Sequence, residues 1–378
     1  MRIGEPVDSR LPWVRRIHDL DEARSLSASG PRLREYRRIG RRLGDDLRSG
    51  PRATVKTIPL ATLLYPTTFA FDRAVPLPWP YVQMFHRCLL VQVEVEGTTR
   101  NALFNPTDYL ASKATPFFAD LIDALPHPDL QKLLSTQYGQ VDEQLAALGL
   151  SAADIDVVAF DHFHTQDLRP ILGSEIPAPD GTRLHARFPN ALLLAPRKEW
   201  VDWDDLHPLQ RSWFVADGKR GVPEDRVVLF DGDLLLGAGA MILQTAGHTT
   251  GNQTLFAHGA RGVFGSSENG CSADSWSPRE SRIPGVAKKA RAYDLEVVLN
   301  SNTPELAAEQ YNSMVLEKSV VDRSEVDPAF VQMFPSSEVT PSAFAPGVRP
   351  SMLFVERDSG ELRTSRARTT AQHSDARA

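Results

Sequence analysis

Short apolar runs separated by turn residues dominate the chain between about residue 60 and residue 335. Runs of about four to eight mostly apolar residues, bounded by Gly, Pro, Asn or Asp, are typical of β-strands. The pattern predicts strands at Cys88–Val95, Asn101–Phe104, Ile155–Phe160, Ala191–Ala195, Arg226–Phe230, Leu234–Leu236, Met241–Thr245, Thr254–Ala257, Gly262–Gly265 and Glu296–Leu299.

Apolar positions three or four residues apart predict helices between these strands. Ala119–Leu125 and Gln140–Leu148 have this spacing, and Gly149 supplies a C-terminal cap signal for the second of them. Two further helices are predicted at Val286–Tyr293 and Pro304–Lys318, the latter with its proline in the first turn, where a missing N–H is tolerated. The middle of the chain therefore alternates between strands and helices.

The pattern divides the chain into three regions. Residues 1–60 are rich in arginine and contain one predicted helix, Leu33–Leu47, so we expect an N-terminal helical arm. Its arginines form either a solvated helix face or a patch for an anionic partner. Residues 61–335 form the main domain, and residues 336–378 form a C-terminal extension. The last part, Arg363–Ala378, has almost nothing apolar to bury and is predicted to be disordered.

Composition restricts the class of protein. The chain has 378 residues, 42% of them hydrophobic and 24% charged, as in ordinary globular proteins. A net charge of −6 gives no reason to expect nucleic acid or an anionic membrane as a partner. We expect no transmembrane helix, since no apolar run reaches about 18 residues, and the N-terminus lacks the apolar core of a secretory signal. Two cysteines, Cys88 and Cys271, then predict reduced thiols and a cytoplasmic location.

The segment that indicates chemistry is Asp161-His162-Phe163-His164-Thr165-Gln166-Asp167, which follows the predicted strand Ile155–Phe160. Two histidines at i and i+2 at the end of a strand lie on the same side of the backbone, which suits binding of one metal ion. Ten histidines in the chain would give about 0.3 such pairs by chance, so the pair alone is weak. A third histidine, in Gly247-His248-Thr249, follows another predicted strand and a glycine.

These motifs, together with Leu148-Gly149-Leu150 and Asp154-Ile155-Asp156-Val157-Val158, resemble the metallo-β-lactamase superfamily over about residues 85 to 320. The resemblance implies an α+β fold, a four-layer αβ/βα sandwich with its metal ligands in loops at one edge. It implies that His162, His164 and His248 bind a metal ion, and that a metal-bound hydroxide attacks a carbonyl group. Asp161 either supports one imidazole as a hydrogen-bonding carboxylate or forms a turn.

The chain departs from the superfamily's HxHxDH motif at two positions. Gln166 stands where the family has Asp, and Asp167 stands where it has the last His. Gln166 cannot act as a base, although its carbonyl oxygen can accept a hydrogen bond from a substrate. Asp167 either binds a metal ion and moves a proton or caps the helix expected near Leu168.

Two further positions follow from the resemblance. Glu268, after the predicted strand Gly262–Gly265, matches the family's bridging acid, and is expected to bind metal and move a proton unless it is merely solvated. The final histidine is missing, and Asn302 is either a weak ligand or substrate contact there or the cap of the helix at Pro304.

The predicted function is a metal-dependent hydrolase of an ester, lactone, thioester or amide in a small molecule. One zinc ion is expected, with a second ion, or iron or manganese, as alternatives. Two other functions stay open. One is a mononuclear iron dioxygenase of the same fold, using His164, His248 and Glu268, and the other is a non-catalytic member that binds a ligand. We expect a small-molecule substrate and neither nucleic acid nor membrane as a partner.

Overall fold

The computed structural model of the protein describes residues 1–125, 127, 131–178, 180–354 and 358–364. Most of the predicted disordered tail, from residue 365 on, lies outside the described residues. The strands are β1 Ile3–Pro6, β2 Arg15–Ile17, β3 Thr54–Pro66, β4 Tyr81–Val95, β5 Thr98–Phe104, β6 Val157–Ala159, β7 Leu192–Pro196, β8 Val227–Phe230, β9 Asp233–Leu235, β10 Ala240–Gln244, β11 Gln253–Gly259, β12 Gly262–Ser266, β13 Met333–Phe334 and β14 Ser337–Thr340.

The helices lie between and around these strands. They are α1 Asp21–Ser25, α2 Ser29–Ser49, α3 Thr67–Ala70, α4 Pro116–Asp123, α5 Gln131–Leu134, α6 Val141–Ala147, α7 Arg169–Leu172, α8 Arg197–Asp202, α9 Ala273–Trp276, α10 Val286–Ala292 and α11 Ala307–Val320. Short 3-10 turns add to them at Ala111–Ala114, Ala152–Asp154, Arg211–Trp213, Glu224–Arg226, Pro278–Glu280 and Pro304–Leu306.

The strands form two seven-stranded sheets. The first sheet has the order β14-β4-β5-β6-β7-β8, with β3 also paired to β4, and β5 to β8 run parallel. The second sheet has the order β1-β2-β9-β10-β11-β12-β13. Parallel strands must be joined by crossovers, and the helices between β5, β6 and β7 provide them.

Alternation along each strand divides the core into layers, because successive side chains point to opposite faces of a sheet. In β6, Val157 and Ala159 join the cluster between the sheets, while Val158 packs toward α6 and α7 outside. In β10, Ile242 faces the inner cluster and Leu243 faces α2 and α11. The order helix, sheet, sheet, helix confirms the predicted α+β fold and its four layers.

The N-terminal residues contribute to the same body. Besides α2, they provide β1 and β2, which extend the second sheet through β9. Helix α2 packs along α11, where Gly40 and Gly44 let the two backbones approach closely. The C-terminal residues likewise provide β14 beside β4. The division of the chain into regions at residues 60 and 335 stays a prediction.

One predicted strand is wrong. Glu296–Leu299 is apolar and β-branched, but it has no strand partner, and Val298 N–H donates to the carbonyl of Ser275 instead. Burial under α11 accounts for its apolar pattern, because Val297 and Val298 are each 1% exposed. No helix among the described residues is both long and apolar enough to cross a lipid bilayer.

Candidate metal centre

Two of the candidate histidines lie in the loop after β6. Side chains alternate there as in a strand, so His162 and His164 share one side while Phe163 points to the other. Phe163 is buried, and its ring stacks on that of Trp203 with the ring centroids 5.2 Å apart. This packing anchors the loop and leaves both imidazoles at the wall of a cavity.

The third histidine, His248 in the loop after β10, completes a cluster with the other two. One nitrogen from each ring lies within 4.8 Å of those from the other two. His164 Nδ1 and His248 Nε2 are 3.1 Å apart. Among the residues that the structure describes, neither a carboxylate nor a thiol belongs to this group. The structure therefore brings together three imidazole nitrogens from two loops.

Hydrogen bonds behind the rings decide which nitrogens face the shared centre. His162 Nδ1 lies 2.7 Å from a carboxylate oxygen of Asp161 and therefore donates to it. His164 Nε2 lies 2.6 Å from the side-chain oxygen of Gln210, which can only accept. These contacts leave His162 Nε2 and His164 Nδ1 without protons, and an unprotonated nitrogen is the one that binds a metal ion.

Burial favours the neutral form of two of the three imidazoles, those of His164 and His248. Burial, reinforced by the nearby charge of His162, lowers the pKa of His164 well below its ordinary value. Burial, and to a smaller extent the charges of His162 and His164, also lower the pKa of His248 well below its ordinary value. Neutral histidine is the form that binds a metal ion, so neither of these two rings has to lose a proton before it binds one near pH 7.

The ring of His248 contacts a side-chain amide, that of Asn300. The Asn300 amide nitrogen lies 3.2 Å from His248 Nδ1 and also donates to the carbonyl of Glu268, while its oxygen accepts from Tyr65. This orientation makes Nδ1 an acceptor and puts the His248 proton on Nε2, toward His164. A cation bound at Nε2 would require the proton at Nδ1 and the Asn300 amide oxygen turned toward the ring.

Asp161 orients the first histidine. It accepts from the His162 ring and backbone N–H and from the Ser336 hydroxyl, the latter at 2.5 Å. Burial alone would raise its pKa, but attraction to His162 and these hydrogen bonds together lower the pKa of Asp161 below its ordinary value. An ionised Asp161 keeps the proton of His162 on Nδ1.

The loop that carries His248 is fixed from behind. A Cβ at Gly247 would lie 2.4 Å from the Gln310 Cα of α11, so only glycine fits beside that helix. The His248 N–H donates to the Asn269 side-chain oxygen at 2.8 Å, and the Asn269 amide donates to Glu317 at 2.7 Å. Glu317 therefore sets the orientation of Asn269, which in turn positions His248.

One buried carboxylate joins the two histidine loops. Glu199 in α8, 1% exposed, accepts from the Phe163 N–H at 2.6 Å and from the Thr249 hydroxyl at 2.7 Å. Burial raises the pKa of Glu199 to about 7, and the charge of His162 opposes that rise. Phe163 lies between the first two histidines and Thr249 follows the third, so Glu199 sets the distance between the loops.

The two departures from the expected motif are placed differently. Gln166 lines the cavity, donates to the Thr107 hydroxyl at 3.0 Å, and has a buried side-chain oxygen with no partner among the described residues. Asp167 uses both oxygens to bind the Arg169 side chain, at 2.8 and 2.6 Å, and also accepts from the Arg169 N–H. It does not line the cavity. Metal binding and proton transfer by Asp167 stay predictions.

The predicted acid and amide after β12 and before α11 line the same cavity as the histidines. Glu268 is buried, accepts from the Ser337 N–H at 3.0 Å, and has its pKa raised well above the ordinary value by burial and by the charge of Asp161. Asn302 is 5% exposed, and neither its nitrogen nor its oxygen has a partner among the described residues.

The sequence did not indicate Gln210, Glu199 or Asn300. Gln210 lies 46 residues beyond His164, just before the 3-10 segment Arg211–Trp213, and its amide also donates to Glu305 at 2.7 Å. Glu199 stands in a short helix between Lys198 and Trp200, and a glutamate in such a helix ordinarily faces solvent. Of these three residues, Asn300 is the one that the sequence could have indicated, because it lies in the same Asn-Ser-Asn segment as Asn302.

The residues present fit a metal ion. Three buried imidazoles converge, two of them with the free nitrogen fixed by hydrogen bonds, which matches a set of three protein ligands with an open position. The orphaned polar atoms of Gln166 and Asn302 lie in the same cavity, so a polar group that is not part of the chain is expected to face them.

No family model matches the chain, and no curated protein matches it. Solved structures do. A probable metal-dependent hydrolase from Staphylococcus aureus is 12% identical over 69% of this chain and 84% of its own, with a TM-score of 0.45. An N-acyl homoserine lactone hydrolase with N-hexanoyl-L-homoserine at its catalytic metal centre is 14% identical over 64% and 88%, with a TM-score of 0.42.

A third solved structure, the hydrolase AbOPH of the beta lactamase superfamily, is 16% identical over 64% of this chain and 82% of its own, with a TM-score of 0.38. At these identities and TM-scores the three structures do not establish a function, and the chemistry of this chain is argued from its own residues.

We expect Gln210→Leu to weaken metal binding about 10- to 100-fold, because His164 loses the acceptor that keeps its proton on Nε2. Competition with a chromophoric chelator measures the affinity. Glu305→Gln is the matched control, since it keeps an oxygen that can accept from the Gln210 amide. Equal affinities for wild type and Gln210→Leu would show that this hydrogen bond does not select the tautomer.

We expect Asp167→Asn to lower the free energy of unfolding by about 1 kcal/mol through loss of the partly buried pair with Arg169. Metal content should be unchanged, because Asp167 is already engaged by that arginine. Urea unfolding and elemental analysis of the same sample measure both quantities, with Arg169→Gln as the variant that breaks the pair from the other side. A metal content below that of wild type in Asp167→Asn alone would make Asp167 a ligand.

Proposed function

We propose that this chain is a metal-dependent hydrolase that cleaves an ester, lactone, thioester or amide bond in a small molecule. The observation that carries the proposal is the convergence of three buried imidazoles at the wall of a cavity, two of them with the ligand nitrogen fixed from behind. A set of three nitrogens without a thiol suits zinc, and we propose zinc as the ion.

A metal ion held by His162, His164 and His248 would supply Lewis-acid chemistry, polarising the carbonyl and lowering the pKa of a water. The chain's own residues supply the rest. Glu268 lines the cavity, burial raises its pKa well above the ordinary value, and its proposed role is to give a proton to the leaving group. Asp167 is the weaker candidate for this role, because Arg169 occupies both its oxygens.

Two amides are proposed to bind the substrate. Asn302 offers a donor and an acceptor that are buried and unpaired, and Gln166 offers one unpaired acceptor. A buried polar group without a partner costs about 1 to 3 kcal/mol, so a substrate that pairs with these atoms recovers that cost on binding. Neutral amides can orient a carbonyl or hydroxyl group, but they cannot attract an anion over a distance.

The iron dioxygenase alternative requires a carboxylate beside two histidines. The cluster that the described residues form contains three imidazoles and leaves Glu268 outside it, so the geometry favours the hydrolase. The non-catalytic alternative does not require three histidines with matched orientations. It gives no reason for the hydrogen bonds by which His162 donates to Asp161 and His164 donates to Gln210.

The experiment is an assay of the purified protein with 4-nitrophenyl esters, a thioester and a lactone, before and after chelation and after addition of Zn²⁺, Mn²⁺ or Fe²⁺. We expect hydrolysis that chelation removes and Zn²⁺ restores. Glu268→Gln should keep the metal content and lower kcat about 10²-fold or more, the usual size of a lost general acid. Metal-loaded protein that hydrolyses none of the substrates, or activity unaffected by chelation, would contradict the proposal.

A further inference from the structure

We propose that the cavity beside the three histidines binds an unbranched aliphatic chain of the substrate. This rests on the proposed function, since the chain is taken to belong to the molecule that is hydrolysed. The cavity has a volume of about 150 Å³ and reaches from the histidines, Glu268 and Asn302 to a wall of apolar side chains. The cavity wall is mostly apolar, and the histidines, Glu268 and Asn302, where the chemistry is proposed, belong to its polar part.

Helix α4 forms one apolar wall. Phe118, Leu121 and Ile122 line the cavity, and none of the residues of α4 is fully buried by the protein. Leaving such side chains half-exposed forgoes the free energy of burying them, which a ligand in the cavity would supply. The helix is nonetheless held in place, because the Phe117 ring packs on Trp213 with centroids 4.8 Å apart.

The facing wall comes from the first sheet. The end of β3 contributes Ala61, Leu63 and Leu64, and β4 contributes Met84. Strand β3 pairs with β4 from Thr54 to Pro66, with one register shift between Pro59 and Ala61, so main-chain hydrogen bonds hold this wall in place. The cavity is therefore a slot between a sheet and a helix, a shape that suits an extended chain.

Charge and polarity at the apolar end exclude other substrates. Lys113 is the one lysine or arginine among the described residues that line the cavity. The Asp161 carboxylate is already engaged by His162 and Ser336. A sugar or nucleotide needs several hydrogen-bonding groups along its length, and the wall of α4 and β3 offers leucine, isoleucine, phenylalanine and methionine instead.

The first test is a series of 4-nitrophenyl esters from acetate to octanoate. Each methylene buried in an apolar site contributes about fourfold, the equivalent of about 0.8 kcal/mol. We expect kcat/KM for the octanoate ester to exceed that for the acetate ester at least tenfold. The double variant Leu121→Gln/Ile122→Gln should lose most of this preference, because both side chains belong to the apolar wall.

The second test needs no hydrolysis. Calorimetry measures binding of octanoate and of acetate to chelated protein, and we expect binding of octanoate that the double variant weakens at least tenfold. Val201→Gln, a change at a surface valine that is 57% exposed, is the matched control and should bind as wild type does. Leu121 and Ile122 are partly exposed and Val201 is exposed, so the variants should fold.

The outcomes separate this inference from the proposed function. Octanoate binding without hydrolysis of any ester would support the chain-binding cavity and overturn the hydrolase. Metal-dependent hydrolysis with equal kcat/KM for acetate and octanoate esters, and no octanoate binding, would overturn the cavity and leave the hydrolase standing. Octanoate binding that is equal in wild type and the double variant would overturn the assignment to α4.

Discussion

Replacing His164 by alanine should lower kcat/KM for ester hydrolysis by on the order of 10³-fold or more, because it removes one of three nitrogens that hold the ion. His164 has a partner at each ring nitrogen, with Nδ1 toward His248 and Nε2 bonded to Gln210. The measurement is kcat/KM over a range of zinc concentrations, because a ligand that only weakens binding would be compensated by excess ion.

The control is His185→Ala, which changes an exposed histidine outside the cavity and should leave kcat/KM unchanged. Circular dichroism and the melting temperature report whether each variant folds, since His164 is 3% exposed and its removal leaves a void. A folded His164→Ala protein with wild-type kcat/KM would mean that the three-histidine cluster takes no part in the reaction.

Replacing Glu317 by alanine should lower the free energy of unfolding by about 3 to 5 kcal/mol, the cost of removing one partner from a buried charged network. Glu317 is fully buried and accepts from Thr254, Ser267, Asn269 and Trp276 at 2.7 to 2.9 Å. Alanine would remove an acceptor from all four donors and leave the Ser267 hydroxyl and the Trp276 N–H without any other acceptor among the described residues. Urea unfolding at constant pH measures the effect.

Glu317→Gln is the matched variant, and it adds a dependence on pH. Burial, opposed by the four hydrogen bonds, raises the pKa of Glu317 from 4.5 to about 7. A carboxyl whose pKa is higher in the folded state stabilises fully below pH 4.5 and loses that contribution as pH rises toward 7. The advantage of wild type over Glu317→Gln should therefore shrink by up to about 3 kcal/mol between pH 4.5 and 7. A constant difference would show that the carboxyl is already ionised at the lower pH.

The sequence predicted the core strands because burial and alternation leave a direct record in the residues. Strand β6, flanked by turns and made only of apolar residues, was found to within two residues at its start. His162 and His164 then lay on one side by the two-residue period of an extended chain. The pairing with His248 rested on the resemblance, since nothing local relates residues 84 positions apart.

Strand β3 was missed for a physical reason. Pro59 and Pro66 interrupt its apolar pattern, and proline usually marks the end of a strand because it lacks an N–H. The structure accommodates Pro59 at a shift of the β3–β4 register between Pro59 and Ala61, where the ladder does not need that donor. This strand forms a wall of the cavity, so the shape of the substrate site was not accessible from the sequence.

The supporting hydrogen bonds were also inaccessible. Gln210 lies just before a 3-10 segment, and Glu199 lies in the short helix α8. Both contact the histidine loops from distant parts of the chain. A polar residue's pattern in sequence does not show whether the residue will be buried. Glu199 and Val201, two residues apart in α8, are the clearest example. The glutamate is 1% exposed and the valine is 57% exposed, the reverse of what their chemistry suggests.

The central claim is that His162, His164 and His248 hold one metal ion. Elemental analysis of the purified wild-type chain beside His162→Ala tests it most directly, after dialysis against metal-free buffer and with protein concentration measured on the same sample. The account predicts about one zinc ion per chain in wild type and none in His162→Ala. Equal metal content in the two proteins, or no retained metal in wild type after zinc loading, would contradict it.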